Sequence, residues 1–121
     1  MLFEEVKNSL PVSGDDYDAQ IIREIKACAI DLTSSAEIVL PGEISITRTN
    51  GEGDDWTIID NSTITDDFVI GVICTWCNMR IGNPPNYEQL RQAYRSMKGQ
   101  MRLSSKYTNY GGTTAEEATT E

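Results

Sequence analysis

The sequence predicts a mainly α domain: a small helical bundle of about four helices, with a β-hairpin-like insertion at residues 38–64 and a flexible tail beyond residue 103. Three observations predict it. Between Asp66 and Leu103, two apolar stripes recur at three- and four-residue steps and are separated by Gly82-Asn83-Pro84-Pro85-Asn86. A similar stripe runs from Tyr17 to Leu32. Between these helical patterns the period changes to two on either side of Asn50-Gly51-Glu52-Gly53, as a hairpin requires.

Residues 2–10 place Leu2, Phe3, Val6 and Leu10 on one side of a short helix, which Pro11 stops because it lacks an amide donor and its ring clashes with the preceding turn. Asp15, Asp16 and Asp18 stand where a second helix begins, and carboxylates there favour the positive end of the dipole and can accept from its unpaired amides. Tyr17, Ile21, Ile25, Cys28, Ala29 and Leu32 form its stripe, and it is expected to end near residues 34–37. Ile44, Ile46 and Arg48 then alternate with polar neighbours. After the acidic, glycine-rich tip Asn50, Gly51, Glu52, Gly53, Asp54 and Asp55 comes a second β-prone run, Trp56-Thr57-Ile58-Ile59. The tip is expected to be exposed and the core not to need the hairpin.

Thr65, Asp66 and Asp67 cap a third helix that runs to about Ile81 with Phe68, Val69, Val72, Ile73, Trp76 and Met79 on one face. Asn83 followed by Pro84 offers a capping side chain ahead of a proline at the first helical position, which predicts the start of a fourth helix. Its stripe is Tyr87, Leu90, Tyr94, Met97 and Met101, and it ends near Leu103. Both stripes are expected to be buried. The segment from Ser104 to Glu121, with Ser105, Lys106, Tyr107 and Tyr110 in it, has no period and is expected to be mobile until it docks on a partner.

With 121 residues the chain predicts one domain. It contains no apolar run of about 18 residues and no basic-then-apolar leader, so neither a membrane span nor a secretory signal is expected, and the protein reads as cytosolic when made. Its formal charge is −9 and it has no histidine. Such a balance repels phosphate backbones and argues against direct duplex DNA binding by the isolated chain. The charge is uneven: residues 1–67 hold 15 acids and 4 bases, residues 68–121 hold 4 acids and 6 bases.

Few residues suggest chemistry. Cys28, Cys74 and Cys77 are too few for a disulfide framework, and the CxxC pair lies inside an apolar helix rather than at a helix start, where the dipole would stabilise a thiolate. Without histidine, and with Cys28 alone in reserve, a zinc site lacks ligands; core packing of small soft side chains is the expectation. The acidic runs do not match a calcium loop, and no Ser-His-Asp arrangement can exist. The sequence therefore predicts no enzyme, no cofactor and no metal. Arg91, Arg95, Lys98 and Arg102 follow Leu90, Tyr94, Met97 and Met101 by one position and form a basic edge along the buried row. That edge is either a solvated flank or a contact for an acidic neighbour such as the Asp15, Asp16 and Asp18 cluster.

Two blocks carry a family resemblance. Leu2-Phe3-Glu4-Glu5-Val6-Lys7 followed by Ser13-Gly14-Asp15-Asp16-Tyr17-Asp18-Ala19-Gln20-Ile21-Ile22 is a short helix, a turn and an acidic helix start. The region from Asp66-Asp67-Phe68 to Leu103-Ser104-Ser105 is a helix, an Asn-Pro break and a Tyr-x-x-Leu helix running into Leu-Ser. Over about four-fifths of its length the chain resembles the small head-tail connector, or adaptor, proteins of tailed bacteriophages. It departs from them at Cys77, where an aromatic or basic residue is common, at Gly82, where an aromatic-glycine pair is common, and in its longer central segment.

The resemblance implies a non-enzymatic structural protein of the virion neck, made in the bacterial cytoplasm. It implies a ring, expected to be a dodecamer, beneath the portal protein. The ring would extend the DNA channel without reading sequence and provide the docking site for a stopper or tail-completion protein. Under it, Arg91, Arg95, Lys98 and Arg102 with Asp15, Asp16 and Asp18 are candidate subunit contacts, Ser105, Lys106, Tyr107 and Tyr110 candidate portal contacts, and the tip residues 50–55 a candidate channel or stopper loop. The alternative from another class is a small acidic DNA mimic that occupies the basic groove of a nucleic-acid-binding protein.

Overall fold

The computed structural model describes residues 2–12, 14–35, 37–50, 56–82 and 84–108. They form a mainly helical chain with one two-stranded antiparallel sheet. Helix α1 (Leu2–Ser9) buries Leu2, Phe3 and Val6, and Leu10 continues that side. Helix α2 (Asp18–Ile30) buries Ile21, Ile22, Ile25 and Cys28 and runs into a π-helical turn at Asp31–Ser35 that carries the buried Leu32. The expected carboxylate cap is absent: Tyr17 holds the N-cap position without a side-chain bond, and the Asp18 amide donates to the Asp15 carbonyl at 3.2 Å. Asp18 instead lies inside the first turn, where its carboxylate meets Lys7.

Strands β1 (Ile46–Asn50) and β2 (Trp56–Asp60) pair with Ile46 opposite Asp60, Arg48 opposite Ile58 and Asn50 opposite Trp56. Two further backbone bonds, from Asn61 to Ser45 at 2.7 Å and from Thr63 to Glu43 at 2.8 Å, prolong the ladder toward the helices. Contrary to expectation, the core does need this segment. Ile38, Ile46 and Ile64 are buried within it, and Asp60 Oδ2 accepts from the Phe3 amide at 2.8 Å, satisfying a helix-start donor that has no partner inside α1. The approach to β1 is tight: a Cβ on Gly42 would come within 3.0 Å of Ile64, and its φ of +152° suits glycine.

Helix α3 (Asp67–Arg80) is the central element, packed against α1, α2 and α4 (Tyr87–Leu103). Asp66 caps it, accepting from the Phe68 amide at 2.9 Å and the Val69 amide at 3.1 Å through Oδ1. With neighbours on several sides, α3 buries more than one stripe: Val69, Ile70, Val72, Ile73, Cys77 and Met79 are buried, whereas Phe68 and Trp76 are only partly so. Gly82, at φ +83°, turns the chain after it. The expected α4 start at Asn83-Pro84 is displaced. Asn86 is the N-cap residue, without a side-chain bond, and forms a turn with Pro85, while Pro84 lies in irregular backbone before it; Asn83 lies outside the described residues. Of the α4 stripe, Tyr94 and Met101 are buried, Leu90 and Met97 partly, and Tyr87 is exposed, because α4 rests on one side of α3 and the π turn rather than in the centre.

The expectation of a mobile tail from Ser104 onward is also corrected over its first residues. Ser105–Tyr107 form a 3-10 turn whose Tyr107 is buried against Phe68, ring centroids 6.2 Å apart. Aromatic burial and hydrogen bonding supply what the absent helical period could not signal. Residues 109–121, including Tyr110, lie outside the described residues. Among the described residues, no helix is long and apolar enough to cross a membrane.

Candidate functional site

A groove of about 1030 Å³ opens where the hairpin meets α1 and the approach to α2. Glu4, Lys7 and Asn8 come from successive turns of α1, Asp15, Asp16 and Asp18 from the turn before α2 and its first residue, and Arg48, Trp56 and Ile58 from the sheet. The strand period explains the last set: Arg48 and Ile58 lie two residues from Ile46 and Asp60, so all four share the face turned to the helices. The Arg48 guanidinium lies over the Trp56 ring at 4.1 Å, while Trp56 remains 50% exposed. Arg48 Nε is buried and, among the described residues, has no hydrogen-bond partner.

The charges in this groove are unequally committed. Lys7 Nζ lies 2.8 Å from Asp18 Oδ1, an ion pair without hydrogen-bond geometry, and 3.7 Å from Asp15. Asp60 is occupied by the Phe3 and Ser62 amides, which hold its carboxyl below the usual range against the opposing effect of burial. Glu4, Asp15 and Asp16 remain exposed, so the mouth of the groove is acidic.

The basic edge of α4 does not act as one stripe. Lys98 donates to Asp31 Oδ2 at 2.9 Å, and the Tyr94 hydroxyl donates to the same oxygen, so Lys98 serves the junction of α4 with the π turn. Arg91 makes a bidentate contact with Glu88 of its own helix, at 2.6 and 3.1 Å. Arg95 and Arg102 are exposed, and among the described residues neither has an ion pair. Of the acidic candidates, Asp18 is buried and paired, while Asp15 and Asp16 are exposed. Glu4, Asp15 and Asp16 thus line the groove beside α1, whereas Arg95 and Arg102 stand on α4, and α3 packs against both helices.

The candidate portal contacts are largely engaged within the chain. Asp66 Oδ2 accepts from the Tyr107 hydroxyl at 2.8 Å and meets Lys106 Nζ at 2.7 Å, while the Val39 amide donates to the Tyr107 carbonyl at 2.7 Å. Lys106 above all, with Tyr107 and the Val69 amide, lowers the Asp66 carboxyl to about 2. Ser105 is exposed. Of the tip, Asn50 pairs with Trp56 at the end of the ladder, and Gly51, Glu52, Gly53, Asp54 and Asp55 lie outside the described residues.

The thiols are chemically quiet. Burial pushes Cys28 up to about 12 and raises Cys77 and Cys74 above their ordinary value, so all three are protonated thiols near neutral pH. Among the described residues, no three or more Cys, Asp or Glu side chains converge where one metal ion could bind. Neither period nor composition signals the contacts that Trp56, Asp60 and Asp31 make. Arg48 does carry a signal, since its place in the Ile44, Ile46 alternation puts it on the inward face. Comparison of the chain with protein-family models, curated proteins and solved structures finds no match.

Proposed function

We propose that the chain is a structural head-tail connector of a tailed bacteriophage, a helical-bundle adaptor that forms a ring under the portal, continues the DNA channel and receives the stopper or tail. The observation that carries this reading is the placement of exposed Arg95 and Arg102 on α4 and of exposed Glu4, Asp15 and Asp16 in the groove beside α1. A closed ring is built from a contact in which two different surfaces of the same protein meet, and opposite charge brings such surfaces together in the right orientation. The order of parts in the sequence, from the acidic helix start to the closing helix pair, supports the same reading. So does the net charge of −9, which suits a channel wall along which DNA slides without adhering.

In this proposal the protein is not an enzyme, needs no cofactor and resides in the virion neck. Negative-stain microscopy of the full chain mixed with a portal ring tests it. Closed rings seated on the portal are the expected outcome. A chain that leaves portals bare, stays monomeric and displaces DNA from a nucleic-acid-binding protein would identify the acidic mimic instead.

A further inference from the structure

We propose that the groove between the hairpin, α1 and the approach to α2 is the acceptor for the α4 edge of a second copy of this chain, with Arg95 and Arg102 entering against Glu4, Asp15 and Asp16. The inference deepens the adaptor reading and rests on it for the contact's place in a ring. The contact itself follows from charge and shape.

On the acceptor side, Lys7 is paired with Asp18, and the Arg48 guanidinium lies over one face of the Trp56 ring while its Nε has no hydrogen-bond partner among the described residues. Among the described residues, Glu4 and Asp16 have no ion pair, and Asp15 has only the 3.7 Å contact with Lys7, its side chain 91% exposed. The groove's lining holds five acids, Glu4, Asp15, Asp16, Asp18 and Asp60, against the two bases Lys7 and Arg48, so it is net negative beside the half-exposed indole of Trp56, a combination that attracts cationic side chains with apolar stems. Its volume of about 1030 Å³ is that of a small-molecule pocket, but its lining is charged where such pockets are mostly apolar. The side chains of a protein partner fit that chemistry better.

On the donor side, Arg95 and Arg102 are seven residues apart on one helix. Seven residues make nearly two turns, so the two guanidinium groups leave the same side about 10 Å apart. Leu103, beside Arg102, is 90% exposed and provides an apolar surface to set against Trp56. Within one chain, no α4 residue is among those that line the groove, and α3 packs against both α1 and α4. The contact is therefore heterologous, and successive copies propagate into a ring if the rotation closes.

Sedimentation velocity of the full chain over a concentration series at low salt tests the contact. The double variants Arg95→Glu with Arg102→Glu, and Asp15→Lys with Asp16→Lys, are each expected to weaken self-association by about tenfold or more, because each makes the meeting faces alike in charge. An equimolar mixture of the two should recover association, since every contact in an alternating assembly then joins opposite charges. Trp56→Ala, which changes no charge, should weaken association while leaving helical circular dichroism unchanged. A wild-type chain that stays monomeric throughout, or a mixture that associates no better than either variant alone, overturns the inference. If the mixture fails while wild-type rings still seat on portals, the groove is refuted and the adaptor reading stands. If the mixture recovers but no assembly seats on a portal, the groove stands and the adaptor reading falls.

Discussion

At the scale of single residues, a few polar side chains join elements far apart in sequence. Glu24 on α2 accepts from Trp76 Nε1 at 3.0 Å and from Arg80 Nε at 3.1 Å, and the Trp76 ring packs edgewise on Tyr94 with centroids 5.1 Å apart. One indole thus ties α2, α3 and α4 together while remaining partly exposed. Trp76→Ala is expected to cost about 3 kcal/mol, the lower end of the range for large aromatic truncations, because part of the ring already meets water. Urea denaturation measures it, and a loss below about 1 kcal/mol would show that the three-helix junction does not depend on this ring. Asp66 works on the same principle, with one oxygen capping α3 and the other holding Lys106 and Tyr107.

At the scale of elements, the hairpin and the 3-10 turn behave as parts of the core rather than as appendages. The hairpin buries Ile46 and satisfies the start of α1 through Asp60; the turn buries Tyr107 beside α3 and holds Val39 by a backbone bond. Truncation after Ser104 removes Lys106 and Tyr107, hence a buried aromatic ring and both bonds to Asp66 Oδ2. Its melting temperature is expected to fall by about 5 °C or more, since a loss of one to two kcal/mol moves a domain of this size by that order. An unchanged melting temperature would return these residues to the mobile tail that composition suggested.

At the scale of the whole molecule, buried and paired titratable groups bound the pH range of full stability. Asp66 lies at about 2 in the folded chain against an ordinary 3.8, so its contribution is complete above about pH 4 and is lost as pH falls toward 2. Cys28 lies at about 12 against an ordinary 9.0, and its contribution is complete below about pH 9 and is lost as pH rises toward 12. Burial, reinforced by the bond to Asp31, raises Tyr94 as well and acts in the same alkaline direction. Stability followed by urea denaturation should form a plateau between these limits. The truncated chain should lose stability less steeply below pH 4, because Asp66 no longer has Lys106 to hold it ionised. An acid limb of unchanged slope in the truncated chain would show that Lys106 does not set the Asp66 carboxyl.

Local signals in the sequence determined the elements. Helical period placed α2, α3 and most of α4, alternation about a glycine-rich tip placed the hairpin, and Asp66 before an apolar run identified the α3 cap. These are interactions over three or four residues or between adjacent strands, and composition and spacing record them directly. Which partners the polar groups would find was decided only by the tertiary structure. Lys98 and Arg91 look equivalent to Arg95 and Arg102 along the helix, yet Lys98 is bonded to Asp31 from 67 residues away and Arg91 to Glu88 of its own helix. Tyr107, in a stretch without period, is buried because Asp66 and Phe68 happen to meet it. The groove is likewise a product of three segments that share no local pattern. Contacts across such separations depend on how elements pack, and the order of residues along one element carries no record of the neighbour it will meet.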